Sequence, residues 1–213
     1  GAALRGLRLK RLDVAMLHWP GDVSTGKLLR GEPLPDCTTA EDGGNVSWRA
    51  CRLESYAALL EECARGRVRS VGVSNFAPRH LDDLVDVGHP TPATHQLELS
   101  PIWPSTELLE RSARDGTIVM AYGCLGGAHT DATLVKEVGV KKIAARNNIS
   151  SAQVLLRWAA LKGVVVVTGG SREEHIEENL RIFEVELEQP DVDYLSTAPN
   201  ERKMYGPHPD EIL

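Results

Sequence analysis

The feature that most constrains this fold is an alternation of short apolar runs with stretches of helical periodicity. Runs of strand length lie at 12–17, 68–73, 94–99, 118–121 and 164–167. Each run is followed by a stretch whose apolar residues recur at helical spacing. Because units of this kind require a parallel sheet with right-handed crossovers, the sequence predicts an α/β fold.

Composition and charge narrow the class of protein further. The chain has 213 residues, of which 42% are hydrophobic and 25% charged, with a net charge of -6. These values are typical of one globular core, so we expect residues 1–213 to form a single domain. No basic stripe is present, and no apolar run approaches the roughly 18 residues that cross a bilayer. We therefore expect neither nucleic-acid binding nor membrane insertion.

The spacing of the cysteines indicates in which cellular compartment the protein is expected. Cys37, Cys51, Cys63 and Cys124 form no C-x-x-C pair and no compact framework. This usage favours reduced thiols and a cytoplasmic protein. A targeting segment upstream of Gly1 would instead place the protein in an organelle.

Several motifs at the strand ends resemble one known family. The matching stretches are Leu12 through Pro20 (with Leu-His-Trp-Pro), Gly66 through Phe76 (with Gly-Val-Ser-Asn-Phe), Gln96-Leu97-Glu98, Ala121-Tyr122, Gln153 through Trp158, and Glu178-Asn179. In order and spacing these stretches resemble the aldo-keto reductase family, up to about Asn200. The resemblance implies an eight-stranded (β/α)8 barrel of the TIM type, of which this chain covers about strands 4–8.

The resemblance also implies a reaction. Family members bind NADPH across the barrel mouth and pass its hydride to an aldehyde or ketone, so a small carbonyl substrate is expected. His18 matches the histidine that orients the carbonyl group; the alternative is a hydrogen-bonded histidine at a strand end. The family's aspartate, tyrosine proton donor and lysine lie upstream of the matching region, and this chain does not contain them. We therefore expect the 213 residues alone to be inactive.

Cofactor-binding residues follow from the same match. Ser74, Asn75 and Gln96 fit a carboxamide, because two amide side chains and a hydroxyl supply both donors and acceptors. The alternative is that Ser74 caps the next helix and Asn75 makes a turn. Tyr122 matches the residue that stacks on nicotinamide; the alternative is core packing. The remaining predicted cofactor residues are Gly123, Leu125, Gly169, Gly170, Ser171, Arg172, Glu178 and Asn179.

The chain departs from the family where the 2′-phosphate of NADPH is held. The family's lysine falls in the run 167–171, which here reads Val-Thr-Gly-Gly-Ser, and His175 occupies the position of its arginine. Arg172 and the backbone N–H groups before the next helix could still hold an anion. Losing two charge-assisted contacts predicts a weakened preference for NADP, so the cofactor is expected to be NADPH or NADH.

A second hypothesis is a non-catalytic relative with a structural or binding role in a larger complex. The missing donor residues and the altered phosphate site favour it. An unpaired apolar edge at 14–17 would then need a protein partner to cover it. Under either hypothesis, the loop 21–46 and the tail after Pro190 are expected to shape specificity.

Overall fold

The computed structural model describes residues 2–21, 48–127 and 134–197. Its strands are parallel and hydrogen-bonded in chain order, which confirms the predicted α/β class with a parallel sheet. They are β1 Leu12–Leu17, β2 Val68–Ser74, β3 Thr94–Glu98, β4 Ile118–Tyr122 and β5 Val165–Val166.

Eight α-helices lie within the described residues. They are α1 Ala2–Leu7, α2 Trp48–Ala64, α3 Pro78–Asp86, α4 Thr106–Asp115, α5 Val138–Asn147, α6 Ser151–Ala160, α7 Glu173–Leu180 and α8 Gln189–Ser196. The sequence did not predict α1 or α8, which are only six and eight residues long. None of the helices in the described ranges is both long and apolar enough to cross a membrane.

The chain divides into two compact units. Of the described residues, the first unit contains 2–21, 48–96 and 110–117, and the second contains 97–109, 118–127 and 134–197. The predicted specificity loop beyond residue 21 and the tail beyond residue 197 lie outside the described residues.

In the first unit, helices α2 and α3 cover the outer face of the strands. Val71 and Val73 of β2 are buried, as are Tyr56 of α2 and Leu84 of α3. The buried guanidinium of Arg52 joins the two helices by hydrogen bonds to Asp83, and it also donates to the carbonyl of Pro20 at 3.4 Å. The turn that follows β1 is therefore tied to the helical layer.

In the second unit, the core is built around α6. Its residues Val154, Leu155, Leu156, Trp158 and Ala159 are fully buried. A helix that is apolar on most of its circumference is stable only when it is enclosed, and α6 is enclosed in this way. Its central indole is also anchored: Trp158 Nε1 donates to Ser196 Oγ of α8 at 3.0 Å, and the Lys162 ammonium lies 5.1 Å from the ring centroid.

The last apolar run differs from its prediction. Four consecutive valines at 164–167 are typical of a strand that is covered on both faces, but β5 has only two residues. Val164 and Val166 pack against the core, whereas Val165 is 49% and Val167 37% exposed. The prediction of a doubly covered strand is wrong, because among the described residues only one face of this run has a layer packed on it.

Two helix starts also differ. The helical periodicity of 131–146 predicts one helix; residues 131–133 lie outside the described residues, and a 3₁₀ turn at Leu134–Lys136 precedes α5. The Glu137 carboxylate separates them, because it caps α5 by accepting from the Val140 N–H at 2.8 Å. Ser171 does not cap α7: the N-cap is Arg172, whose extended backbone delays the helix to Glu173.

The cysteines are not all reduced. Cys51 is disulfide-bonded, which contradicts the expectation of reduced thiols, whereas Cys63 and Cys124 are free. Cys37 lies outside the described residues. The sequence could not reveal the bond because these cysteines have no diagnostic spacing.

Candidate active site

The carboxyl ends of β2 and β3 bring two predicted residues side by side. Ser74 and Gln96 are register partners, so their side chains project from the same face of the sheet. Ser74 is 3% exposed, and Gln96 is partly buried. A hydroxyl and an amide therefore lie on neighbouring strands at one edge.

Asn75 links the strand ends of the first unit. Its backbone has a φ of 60°, and its side chain is buried. The Nδ2 atom donates to the carbonyl of His18 at 3.1 Å and to Ser74 Oγ at 3.0 Å. The Asn75 N–H donates to the carbonyl of Gln96 at 3.0 Å. The alternative of a turn at Asn75 is thus confirmed, and the same turn fixes its amide beside Ser74.

The alternative that Ser74 caps the next helix is wrong. The N-cap of α3 is Ala77, and the Ala77 N–H is accepted by the His80 side chain. Ser74 lies three residues too early to cap this helix. Its hydroxyl accepts from Asn75 instead.

His18 completes this group. Its side chain is exposed at the end of β1, with its ring centroid 5.9 Å from that of Trp19. Its backbone carbonyl is bound by Asn75. We refer to His18, Ser74, Asn75 and Gln96 as the amide cluster. It contains one hydroxyl, two amides and one imidazole at the carboxyl ends of parallel strands.

The loop after β4 lies in the second unit. Tyr122 is partly buried and ends β4, and Gly123 follows it with a φ of 71°. The Gly126 N–H closes a turn onto the carbonyl of Gly123 at 2.9 Å. A Cβ on Gly126 would lie 2.5 Å from Leu134 Cγ, so this glycine is needed for close packing as well as for its positive φ.

A cavity of about 320 Å³ lies beside α7 in the second unit. We call it the α7 pocket; it is lined by Leu125, Val135, Ser150, Ser151, Ala152, Gly169, His175, Glu178 and Asn179. Four of these were predicted to bind cofactor: Leu125, Gly169, Glu178 and Asn179. The predicted residues Tyr122, Gly123, Gly170, Ser171 and Arg172 do not line it.

The polar residues before α7 are solvent-exposed. Gly170, Ser171 and Arg172 all face solvent. The Arg172 guanidinium hydrogen-bonds His175 Nε2, which makes this nitrogen an acceptor. His175 lines the α7 pocket, so Arg172 contacts a lining residue without lining the pocket itself.

Sequence reasoning missed three residues of this region. Ser150 and Ser151 line the α7 pocket. Gln153 supports it, because its Nε2 donates to the carbonyl of Glu178 at 3.1 Å while its Oε1 accepts from the Ser150 N–H. The available signal was the spacing Ser-x-x-Gln, which is typical of a helix capping box.

Metal chemistry has no support in the described parts of the chain. Among residues 2–21, 48–127 and 134–197, no group of three His, Cys, Asp or Glu side chains is arranged to hold an ion. The amide cluster offers a hydroxyl, two amides and an imidazole, whereas the α7 pocket offers two hydroxyls, an imidazole, a carboxylate and an amide.

Comparison with known proteins gives a consistent result. Residues 2–198 match the model of the aldo/keto reductase family. The chain is 32% identical to D-galacturonate reductase of Fragaria ananassa, over 97% of this chain and 64% of that protein. It is also 32% identical to glyoxal reductase of Bacillus subtilis, over 99% of this chain and 65% of that protein. The chain thus spans less than two thirds of the length of these relatives.

A solved structure shares the fold. A Gox0644 variant in complex with NADPH superposes with a TM-score of 0.78, covering 100% of this chain and 68% of that one at 24% identity. At this level of identity the likeness concerns the fold alone.

Proposed function

Because this chain belongs to the aldo/keto reductase family, we propose that it takes part in the NAD(P)H-dependent reduction of small aldehydes or ketones to alcohols. The amide cluster is the observation that carries the proposal. The relatives named above are reductases of D-galacturonate and glyoxal, which supports a small carbonyl compound as substrate.

The donor set of the amide cluster fits a nicotinamide carboxamide. A carboxamide presents one acceptor oxygen and two N–H donors in a plane. Gln96 and Asn75 each carry an amide; Ser74 Oγ accepts from the Asn75 amide, and Ser74 is the register partner of Gln96 on the neighbouring strand. The Asn75 Nδ2 atom is bound by the His18 carbonyl and Ser74 Oγ, and these two bonds fix the plane of its amide. Nicotinamide, when bound, supplies the hydride.

The α7 pocket of the second unit, taken by itself, has a lining that fits an adenosine group. Its volume of about 320 Å³ lies at the lower end of the range for ligand pockets. Glu178 can accept from the exocyclic amino group of adenine, and Asn179 can both donate and accept. Leu125 and Val135 contribute apolar side chains to the lining, so the pocket combines apolar and polar groups.

His18 is proposed to act on the substrate. Its exposed imidazole belongs to the residue that follows β1, whose backbone carbonyl the Asn75 amide binds, and an imidazole can donate to a carbonyl oxygen. Such a donor is most useful where negative charge develops on that oxygen during hydride transfer. In a longer form of the protein that also contains the proton donor, we expect His18→Ala to lower kcat by about 100-fold, the typical effect of losing one such donor.

The experiment that tests this function is a cofactor titration followed by turnover. The protein is titrated with NADPH and NADH, and nucleotide consumption is then measured with glyoxal and D-galacturonate. Gln96→Leu removes one amide of the cluster and is expected to weaken cofactor binding by about tenfold. Gln189→Leu makes the same exchange on the exposed start of α8 and should leave binding unchanged. Absence of binding by the unaltered protein would overturn the proposal.

A second candidate is a binding subunit without turnover. The position of β1 favours this candidate. Within the described residues β1 pairs only with β2, and its residue Val14 is 36% exposed. An edge of this kind accepts a further strand from a protein partner. Cofactor binding without consumption of either carbonyl compound, measured in a longer form that contains the proton donor, together with a stable complex in light scattering, would support this candidate over the first.

A further inference from the structure

Three consecutive backbone N–H groups follow β2, and each has a different acceptor. The Asn75 N–H donates to the carbonyl of Gln96 at 3.0 Å. The Phe76 N–H donates to His95 Nε2 at 3.3 Å, and the Ala77 N–H donates to His80 Nδ1 at 3.0 Å. Two imidazoles therefore supply acceptors that a strand or helix would normally provide.

This turn is closed to water. His80 and His95 are both 0% exposed, and Phe76 and Ala77 are 0% and 1% exposed. A buried N–H that loses its acceptor cannot find a replacement in solvent, and this makes each imidazole acceptor costly to remove. The His80 ring also packs edge-on against Phe76, with centroids 5.8 Å apart, so its orientation is fixed.

The protonation state of His95 agrees with an acceptor role. Nε2 accepts from Phe76, so the proton of the neutral ring lies on Nδ1, an atom with no hydrogen-bond partner among the described residues. Burial lowers the pKa of His95 to about 4, because the charged ring would lose its solvation. The ring is therefore neutral at physiological pH.

His95 is well placed to influence the amide cluster. It directly precedes Gln96 on β3, and successive residues of a strand point to opposite faces. Gln96 thus faces the Ser74 side while His95 faces the helical side, and both hold the same turn. The turn carries Asn75 in its left-handed conformation, from which the side chain reaches His18 and Ser74.

We propose that His95 and His80 are positioning residues for cofactor binding: as buried acceptors for the Phe76 and Ala77 N–H groups, they fix the turn that aims the Asn75 amide. This inference rests on the proposed function of the amide cluster. Neither imidazole touches the cofactor itself; both act through Asn75.

The test compares two replacements of His95 in the protein. His95→Leu removes the acceptor but keeps an apolar side chain, whereas His95→Gln offers Oε1 near the position of Nε2. We expect His95→Leu to weaken NADPH or NADH binding by about tenfold and to accelerate hydrogen exchange of the Phe76 amide. We expect His95→Gln to restore binding to within about threefold of the unaltered protein.

The matched control is Tyr56→Phe. Tyr56 is 1% exposed, and its hydroxyl donates to the carbonyl of Pro90 at 3.0 Å, in the same unit but away from the turn. We expect this variant to lose stability while cofactor affinity is retained. A general loss of stability is thereby separated from a loss of positioning.

The outcomes distinguish the two proposals. Failure of the unaltered protein to bind either nucleotide overturns the proposed function, and this inference with it. Binding by the unaltered protein that is equally tight in His95→Leu overturns the positioning role alone, even if Phe76 exchange becomes faster. Equal weakening in His95→Leu and His95→Gln also overturns it, because the acceptor would then not be the relevant property.

Discussion

The guanidinium of Arg52 donates two hydrogen bonds to a single carboxylate oxygen of Asp83, at 2.6 and 3.0 Å. The other oxygen of Asp83 accepts from Arg49 at 2.6 Å. Arg52 is 6% exposed and also reaches the carbonyl of Pro20, two residues beyond His18. One ionic group thus connects α2, α3 and the turn that carries the candidate catalytic histidine.

This group predicts a pH-dependent stability. Burial alone would raise the pKa of Asp83, but hydrogen bonds from Arg52 and Arg49 outweigh it and lower the pKa. The resulting stabilisation is present above the ordinary carboxylate pKa of about 4 and is lost as pH falls through the lower folded value. At neutral pH, we expect Asp83→Asn to lower the free energy of unfolding by about 3 kcal/mol. Urea unfolding at several pH values measures this loss of stability. If the stability difference between Asp83→Asn and the unaltered protein were the same in acid as at neutral pH, the ionic explanation would be contradicted.

The second prediction concerns cofactor preference. His175 lines the α7 pocket where the resemblance implies an arginine, so we expect the unaltered protein to bind NADPH and NADH within about tenfold of each other. His175→Arg adds a charge-assisted donor and should strengthen NADPH binding by about tenfold while leaving NADH unchanged. Calorimetric titration with both nucleotides measures this. Much tighter NADPH binding by the unaltered protein, or an equal gain for both nucleotides, would refute it.

The third prediction concerns the packing beneath the amide cluster. A Cβ on Gly72 would lie 2.2 Å from Thr94 Oγ1, 2.7 Å from Met16 Cγ and 2.9 Å from the Thr94 carbonyl. Gly72→Ala must therefore push β2 away from β1 and β3, at a cost of about 3 kcal/mol. Gly6→Ala, with nothing within 4 Å of its Cβ, is the control and should be neutral or slightly stabilising. Thermal unfolding of both variants measures this cost. Equal melting temperatures for Gly72→Ala and Gly6→Ala would show that the strands can accommodate the methyl group.

The fourth prediction concerns thiol reactivity. Burial raises the pKa of Cys124 to about 12, and its side chain is 2% exposed. Because the thiolate is the reactive form, Cys124 should resist alkylation until the protein unfolds. Cys63 is free and partly exposed, so it should be labelled first. Peptide mass spectrometry after brief iodoacetamide treatment distinguishes the two, and early labelling of Cys124 would reveal local opening of its surroundings.

The local pattern of apolar and turn residues was sufficient to predict the position of most strands of the sheet. The apolar runs at β1 to β4 were found to within one residue at each end, because turn residues bound them and helical periodicity follows. The run at 164–167 was found but misread, since four valines in succession do not indicate how many layers cover them. Its alternating exposure is set by neighbouring elements, which a single sequence does not specify.

The candidate site was predictable where a motif carries its own geometry. The Ser74-Asn75 pair needs only the end of β2 and the neighbouring Gln96, and both were anticipated. The acceptor roles of His80 and His95 were not, because an imidazole in a sequence has no assigned partner. Only the fold reveals that Phe76 and Ala77 turn their N–H groups towards these two rings.

The contact between Trp158 and Ser196 provides an optical signal for α8, the last helix among the described residues. The indole is 0% exposed, and its N–H group donates to the Ser196 hydroxyl of α8. Release of α8 would break this bond and admit water to the ring, which shifts indole emission to longer wavelength. In a protein whose other tryptophans have been replaced by phenylalanine, Trp158 would report when α8 leaves the core, independently of whether the first unit remains folded.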